Sequence, residues 1–502
     1  MMEDIARNLV MGFGVALGPL NLLYCLMGVL LGTLIGVLPG LGPVATIAML
    51  LPVTFKLPPV AAIIMLAGIY YGAQYGGSTT SILVNIPGEA TSVITCLDGY
   101  QMARQGRAGP ALGISAIGSF IAGCFATVVI ALFAPPLAEV ALKFGPAEYT
   151  SLMILGLVGA VVLAHGSVLK AITMVILGLL LGLVGTDVNS GVARYNFGIA
   201  ELSDGISFVG IAMGVFGFAE IISNLEQKGK REVFLKRVKN LLPSWQDMKD
   251  CSGAITRGTL LGSALGILPG GGALLASFAA YALEKKLSWN SANFGKGAIQ
   301  GVAAPESANN AGAQTSFIPL LTLGIPSNPV MALMIGAMMI QGIAPGPQVM
   351  TERPQLFWGM IASMWVGNLM LVVLNLPMIG MWIKLLTVPY RVLYPSIVLF
   401  MCVGIYSLSN SPFDVMVVAL FGVLGYVFRK LECEPAPLIL GFILGPLMEE
   451  NLRRAMLLSR GDPLVFFQRP ISAVMLGIAI FLLVITLAPG IRKKREEAFV
   501  PE

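Results

Sequence analysis

Charge is scarce in this chain. Lys, Arg, Asp and Glu make up 11% of its 502 residues, against ~25% in soluble domains. Histidine occurs once, at His165, and cysteine six times, at Cys25, Cys96, Cys124, Cys251, Cys402 and Cys433. The cysteines are scattered, with no CxxC pair and no histidine nearby, which argues against a metal centre and against a disulfide framework. Gly-x-x-x-x-Gly-Lys-Ser/Thr, HExxH and Gly-x-Ser-x-Gly are missing. Nucleotide hydrolysis through a P-loop and the familiar metalloprotease and hydrolase arrangements are therefore not expected. Residues 1–13 carry Glu3, Asp4 and Arg7 in place of a basic stretch and a small-residue cleavage site, so they do not read as a removable signal peptide.

What the chain has instead is sequence fit for hydrocarbon. It is 56% hydrophobic, and among its apolar runs those at 111–132 and 360–381 reach the ~20 residues that cross a bilayer, with 471–487 close to it. Shorter runs at 151–163, 171–184, 208–222 and 415–427 suit half-helices or core helices. Roughly ten to twelve spanning or re-entrant elements are expected. The 59 glycines and 31 prolines would be penalised in water-soluble helices but are tolerated in polytopic bundles.

The polar stretch 226–257 holds Lys228, Lys230, Arg231, Lys236, Arg237, Lys239, Lys249 and Arg257, and the tail holds Arg492, Lys493, Lys494 and Arg495. A basic loop between apolar runs is a topology determinant before it is a nucleic-acid patch, which places both segments on the cytoplasmic side. The stretch divides the chain into a first half, 1–225, and a second half, 258–502, with extra C-terminal spans.

One phrase is written twice. Gly32-Thr-Leu-Ile-Gly36-Val-Leu38-Pro39-Gly40-Leu-Gly42 returns as Gly262-Ser-Ala-Leu-Gly266-Ile-Leu268-Pro269-Gly270-Gly271-Gly272. Each copy is followed by an echo, Gly72-Ala-Gln74 leading to Ile86-Pro87 and Gly312-Ala-Gln314 leading to Ile325-Pro326. Helix breakers at matching places of two apolar halves point to a secondary transporter's binding site, because broken helices survive in hydrocarbon only where they line an enclosed cavity. Arg257 before the second copy and Lys285-Lys286 after it leave 258–283 between two basic flanks. If both flanks are cytoplasmic, that segment enters and returns as a re-entrant hairpin with arms of about 11 residues, roughly half a bilayer. By the repeat, 30–55 is the partner hairpin with its tip at 39–43. Pro39 and Pro269 break the helix, and Gly40, Gly42, Gly270, Gly271 and Gly272 let backbone approach a ligand. The Gly32/Gly36 and Gly262/Gly266 spacings permit close helix packing.

The echoes bring polarity to membrane depth. Gly77, Ser78, Thr79, Thr80 and Ser81 run on to Asn85, and their counterparts are Ser307, Asn309, Asn310, Gln314 and Thr315, followed by Ser327 and Asn328. These tracts are rich in hydroxyls and amides and nearly free of cations. Such groups, with the positive ends of broken helices, can hold an anionic substrate. Oxygens at the unwound turns near Gly40, Asn85, Gly270 and Asn310 also suit Na⁺, and interhelical hydrogen bonding is the plainer alternative. Glu89 and Glu306 either bind a proton or Na⁺ or pair structurally. Asp98, Arg104 and Arg107 form a loop or a gate, Asp187, Arg194, Glu201 and Asp204 sit at an interface, and His165 is structural.

The doubled phrase, Tyr70-Tyr-Gly-Ala-Gln-Tyr-Gly-Gly-Ser-Thr-Thr-Ser81, Asn85-Ile-Pro-Gly-Glu89 and Pro305-Glu-Ser-Ala-Asn-Asn-Ala-Gly-Ala313 resemble the large membrane subunit of the tripartite tricarboxylate transporters over nearly the whole chain. The resemblance implies a bacterial inner-membrane permease that works with a small membrane subunit and a periplasmic solute-binding protein. It implies import of citrate or related carboxylates coupled to a cation, Na⁺ or H⁺, with no other cofactor. The expected fold is all-α and polytopic, with two internal repeats of broken or re-entrant hairpins. Inverted repeats are favoured, since a two-fold in the membrane plane yields alternating access; parallel repeats stay open. The alternatives are an intramembrane enzyme using Glu306 or His165 for acid–base work, or a channel-like membrane protein.

Overall fold

The computed structural model of the chain describes residues 2–38, 42–164, 167–187, 190–226, 238, 241–268, 272–385 and 390–487. Almost all of it is helix. The first half contains α1 (Met2–Ala16), α2 (Pro19–Val37), α3 (Pro43–Phe55), α4 (Pro59–Val84), α5 (Val93–Arg104), α6 (Ala108–Ala141), α7 (Pro146–Leu163) and α8 (Val168–Gly182). A two-residue-per-strand hairpin, β1 (Gly185–Thr186) with β2 (Ala193–Arg194), precedes α9 (Phe208–Ala212), a π-helical stretch Met213–Phe218, and α10 (Ala219–Glu226). The second half opens with α11 (Trp245–Gly266), α12 (Gly272–Leu287), α13 (Gln300–Thr315), α14 (Phe317–Leu323), α15 (Pro329–Ile340), α16 (Gln348–Glu352) and α17 (Pro354–Asn375). It closes with α18 (Ile379–Leu385), α19 (Tyr390–Ser409), α20 (Pro412–Lys430), α21 (Ala436–Leu458), α22 (Val465–Gln468) and α23 (Pro470–Leu487).

Six of these helices (α2, α4, α6, α17, α20 and α23) are long and apolar enough to cross a membrane, and six shorter apolar segments accompany them. The protein is an all-α, multi-pass membrane protein. Polarity sorts the helices by depth in the bundle. α4 is buried over nearly its whole length, whereas α23 buries only Ser472, Ala479 and Thr486 and turns Val474, Phe481 and Val484 outward, the pattern of a lipid-facing span.

Helix breaks fall where the doubled phrase places them, between α2 and α3 and between α11 and α12. The tip residues Pro39, Gly40, Pro269, Gly270 and Gly271 lie outside the described residues, as do His165 and the basic C-terminal tail. In the second half, Arg257 of α11 meets Glu284 of α12 through two 2.8 Å hydrogen bonds. The chain after the break therefore runs back beside the chain before it.

The arms entering the breaks are longer than the half-bilayer arms expected. α2 has 19 residues and α11 has 22. Arg257, expected as a flank, lies inside α11, and the helix starts within the segment read as linker. A Ser244–Asp247 capping box begins it at Trp245. A glycine seam then holds it along its length. A Cβ at Gly258, Gly262 or Gly266 would overlap the carbonyl oxygens of Ala304, Ala308 and Gly312 on α13. The first half uses the same device, with Gly28, Gly32 and Gly36 of α2 against the carbonyls of Met65, Ile69 and Ala73 on α4. Without side chains in between, each pair packs backbone to backbone.

Candidate functional site

The helices held by the two seams, α4 and α13, carry the polar tracts, and both are buried. Glu306 of α13 is fully buried and accepts hydrogen bonds from Ser78 of α4, Thr95 of α5 and Ser115 of α6, the last at 3.2 Å. Its carbonyl accepts from Ser119 at 3.3 Å. One turn on, Asn310 Nδ2 donates to Ser119 Oγ (2.8 Å) and to Asn309 Oδ1 (2.7 Å). Asn309 donates to the Thr91 hydroxyl at 3.1 Å, which lies 2.6 Å from Gln74 Oε1. Thr91 also meets the Glu89 carboxylate, whose other oxygen takes the Thr91 amide at 3.0 Å. Hydroxyls and amides of the first half thus close around acids and amides of both halves. A shallow crevice lined by Tyr75, Ser78, Thr79, Ser115, Leu241 and Asn375, among others, reaches this cluster.

A second cluster sits beside the second break, about 15 Å further along the α13 direction at 1.5 Å per residue. Ser316 Oγ donates to the Gly312 carbonyl (2.7 Å) and lies 3.2 Å from that of Gly266. Asn328 Nδ2 donates to Ser316 Oγ (3.1 Å) and to Tyr70 Oη (3.2 Å), while its Oδ1 caps α15 by accepting from the Met331 amide at 3.0 Å. Ser327 donates to the Ser316 carbonyl at 3.2 Å. A Cβ placed on Gly272, the first residue of α12, would lie 3.2 Å from Ser316 Oγ and 3.6 Å from Asn328 Nδ2. The first residues of α12 and α15 therefore lie close together here, each at the positive end of its helix. The first half has a related arrangement, where Thr80 donates to the Val37 carbonyl at 2.7 Å, just before the first break.

The remaining expected site residues separate by environment. Gly77 leaves room for Glu89, whose Cγ would stand 2.8 Å from a Cβ there. Ser81 donates to Ser92 (3.0 Å), and Thr315 is spent within its own helix on the Ala311 carbonyl. Thr79 is buried and lines the crevice. Ser307 Oγ, Asn310 Oδ1 and both polar atoms of Gln314 are buried without a partner. Gly42 is the cap residue before α3, and a Cβ there would meet nothing within 4 Å. Asn85 is exposed and ends α4 in the left-handed conformation, φ 57°, as Gly324 ends α14 at φ 72°. Its place in the structure is a helix stop ahead of Ile86-Pro87.

Residues outside the tracts complete the site. Thr91, Thr95, Ser115, Ser119 and Tyr70 take part in many of these hydrogen bonds; Tyr70 opens the motif that ends at Ser81, and for the others the hint in the sequence is the i, i+4 spacing of Ser115 and Ser119 inside an apolar run. Asp98 is a buried latch: its Oδ1 accepts the amides of Gly295 (2.9 Å), Gly297 (2.8 Å) and Ala298 (2.8 Å), and its Oδ2 the Tyr281 hydroxyl (2.8 Å). Arg104 is exposed, and Arg107 pairs with Asp247 at 2.7 Å. Asp187 and Arg194 join Glu449 and Arg453 in one ion-pair network, and the hydrogen bond that Arg194 donates to the Glu449 carboxylate raises its pKa above the ordinary value. Glu201 and Asp204 are exposed. Among the described residues no group of three or more His, Cys, Asp or Glu side chains could hold a metal ion.

The sequence profile of the Tripartite tricarboxylate transporter TctA family matches residues 22–440. The chain is 60% identical over 501 residues, spanning both proteins end to end, to an Agrobacterium vitis protein described as an uncharacterized 52.8 kDa protein in the TAR-I ttuC' 3'region. It is 62% identical over 241 residues to another from that organism, described as an uncharacterized protein in the TAR-II ttuC' 3'region; the match covers 48% of this chain and all of that protein. No solved structure matches.

Proposed function

The chain belongs to the tripartite tricarboxylate transporter TctA family, and from that membership we propose that it is the permease of a binding-protein-dependent secondary transporter. It imports tricarboxylates or related carboxylates across a bacterial inner membrane, driven by a coupled cation. A periplasmic solute-binding protein delivers the substrate, a small membrane subunit completes the complex, and the central linker and C-terminus face the cytoplasm. The observation that carries this reading is the closeness of the α12 and α15 N-termini at Gly272, Ser316 and Asn328 beside a helix break. Helix N-termini bind carboxylates without a lysine or arginine, and a site without fixed cations releases its anion more readily than an ion pair would. The two glycine-seamed helix pairs act as the moving repeats.

Uptake of a labelled carboxylate into proteoliposomes that hold this chain and the small subunit, with binding protein outside, tests the reading. Accumulation that requires a cation gradient supports it. Chemical turnover of the carboxylate without a gradient would make the protein an enzyme, and passive equilibration alone would make it a channel.

A further inference from the structure

We infer that Glu306 is the anionic ligand of a site for one monovalent metal cation of the sodium class, built between the two halves of the chain. The inference rests on the transporter reading above and gives its coupling cation a place.

Glu306 is a carboxylate with no exposed surface, and among the described residues no ion pair includes it. Its partners, Ser78, Thr95 and Ser115, are neutral hydroxyls. They satisfy lone pairs but supply no positive charge, and an uncompensated carboxylate is among the most expensive groups to bury. Glu284 and Glu148, which are also buried, each have an arginine. Glu89 is held locally, as the cap of the short helix that follows it, by the Thr91 amide and hydroxyl. Asp98, also fully buried, is held by three backbone amides and the Tyr281 hydroxyl, whereas the Glu306 carboxylate is held by side-chain hydroxyls from three different helices.

Two neighbouring oxygens strengthen the assignment. Ser307 Oγ and Asn310 Oδ1 are buried and have no hydrogen-bond partner. Asn310 follows Glu306 by one helical turn and so shares its face. Ser307 Oγ stands 2.9 Å from where a Cβ on Gly118 would be, between Ser115 and Ser119 on α6. Carboxylate, hydroxyl and amide oxygens are the hard donors that sodium takes in several-fold coordination. A proton needs one oxygen and would leave these two unused. One carboxylate balances one positive charge, which disfavours a divalent ion.

The ligands come from both halves, Ser78, Thr95 and Ser115 from the first and Glu306, Ser307 and Asn310 from the second. An ion bound there stabilises the arrangement in which the halves are joined, which is what a coupling ion must do.

The test uses the purified full-length chain in detergent, without carboxylate. Unfolding midpoints are measured against NaCl, with choline chloride holding ionic strength constant. The wild-type midpoint should rise saturably with Na⁺ and not with choline. Glu306→Gln should abolish the Na⁺ response. Thr95→Ala and Ser115→Ala, which keep the carboxylate, should retain it with the half-saturating Na⁺ raised about tenfold or more. If Glu306→Gln does not fold, the two hydroxyl variants decide alone. No Na⁺-specific rise in the wild type, an undiminished response in Glu306→Gln, unshifted half-saturation in both hydroxyl variants, or stabilisation that follows acidification instead of Na⁺ would each overturn the assignment. A Na⁺ response present in the wild type and lost in Glu306→Gln, with no carboxylate uptake by the wild type, would refute the transport reading and leave the cation site standing. Normal uptake with no Na⁺ response would do the reverse.

Discussion

Asp98 shows how much one buried side chain can organise. Its carboxylate gathers three backbone amides of the loop before α13 and one tyrosine hydroxyl, tying α5 of the first half to the second. Asp98→Ala would leave the buried Ala298 amide and Tyr281 hydroxyl unmatched and release the more exposed Gly295 and Gly297 amides to water, and hydrogen bonds to a charged group are worth about 1.5–3 kcal/mol each. The variant should lose about 3 kcal/mol or more of stability, read as a fall in the detergent unfolding midpoint, with hydrogen exchange at Gly295, Gly297 and Ala298 accelerated first. Tyr281→Phe, which removes a single donor, should cost about a third to a half as much. Equal midpoints for wild type and Asp98→Ala would remove the latch. The sequence marked Asp98 as a loop or gate residue because it follows a polar tract, but its partners lie some two hundred residues away and no local pattern announces them. Thr95 and Ser115 escaped for the same reason, since a lone hydroxyl in an apolar helix looks like interhelical glue.

At the scale of the element, the helix breaks were legible because proline and glycine act on the backbone itself. The breaks after Val37 and Gly266 follow from local chemistry, and the GxxxG spacings followed through to the packing, extended one turn by Gly28 and Gly258. Arm length was not legible, because the Ser244 cap and the seam, not the basic flank at Arg257, decide where α11 begins. The seam makes a sharp contrast. Gly32→Ala and Gly262→Ala force a methyl into a carbonyl oxygen, and the helix pairs must separate. Each should lower the unfolding midpoint by several degrees, as overpacking of about 1–3 kcal/mol does. Gly14→Ala and Gly477→Ala, at helical positions with nothing within 4 Å, should be neutral or slightly stabilising, since alanine is the better helix former by about 1 kcal/mol. Seam variants as stable as these controls would show that the backbones do not need that approach.

For the whole molecule, low charge and long apolar runs disclosed a polytopic bundle, and the repeated phrase marked where it is broken. What no single stretch of sequence could show is that the polar tracts form two clusters, one around Glu306 and one around Asn328. The Arg257–Glu284 pair predicts that cysteines placed in the linker and at Lys285 label from the same side of the membrane, the cytoplasmic one; labelling from opposite sides would turn the second hairpin into a through-span. The central claim is that the neighbouring helix ends at Asn328 bind the carboxylate. Asn328→Asp tests it most directly, because aspartate caps α15 as well as asparagine does while removing the Nδ2 donor and setting a negative charge before the substrate. In reconstituted uptake the half-saturating carboxylate concentration of Asn328→Asp should rise about ten- to a hundredfold, with the unfolding midpoint close to that of the wild type. An unchanged half-saturation in a stably folded Asn328→Asp protein would contradict the account.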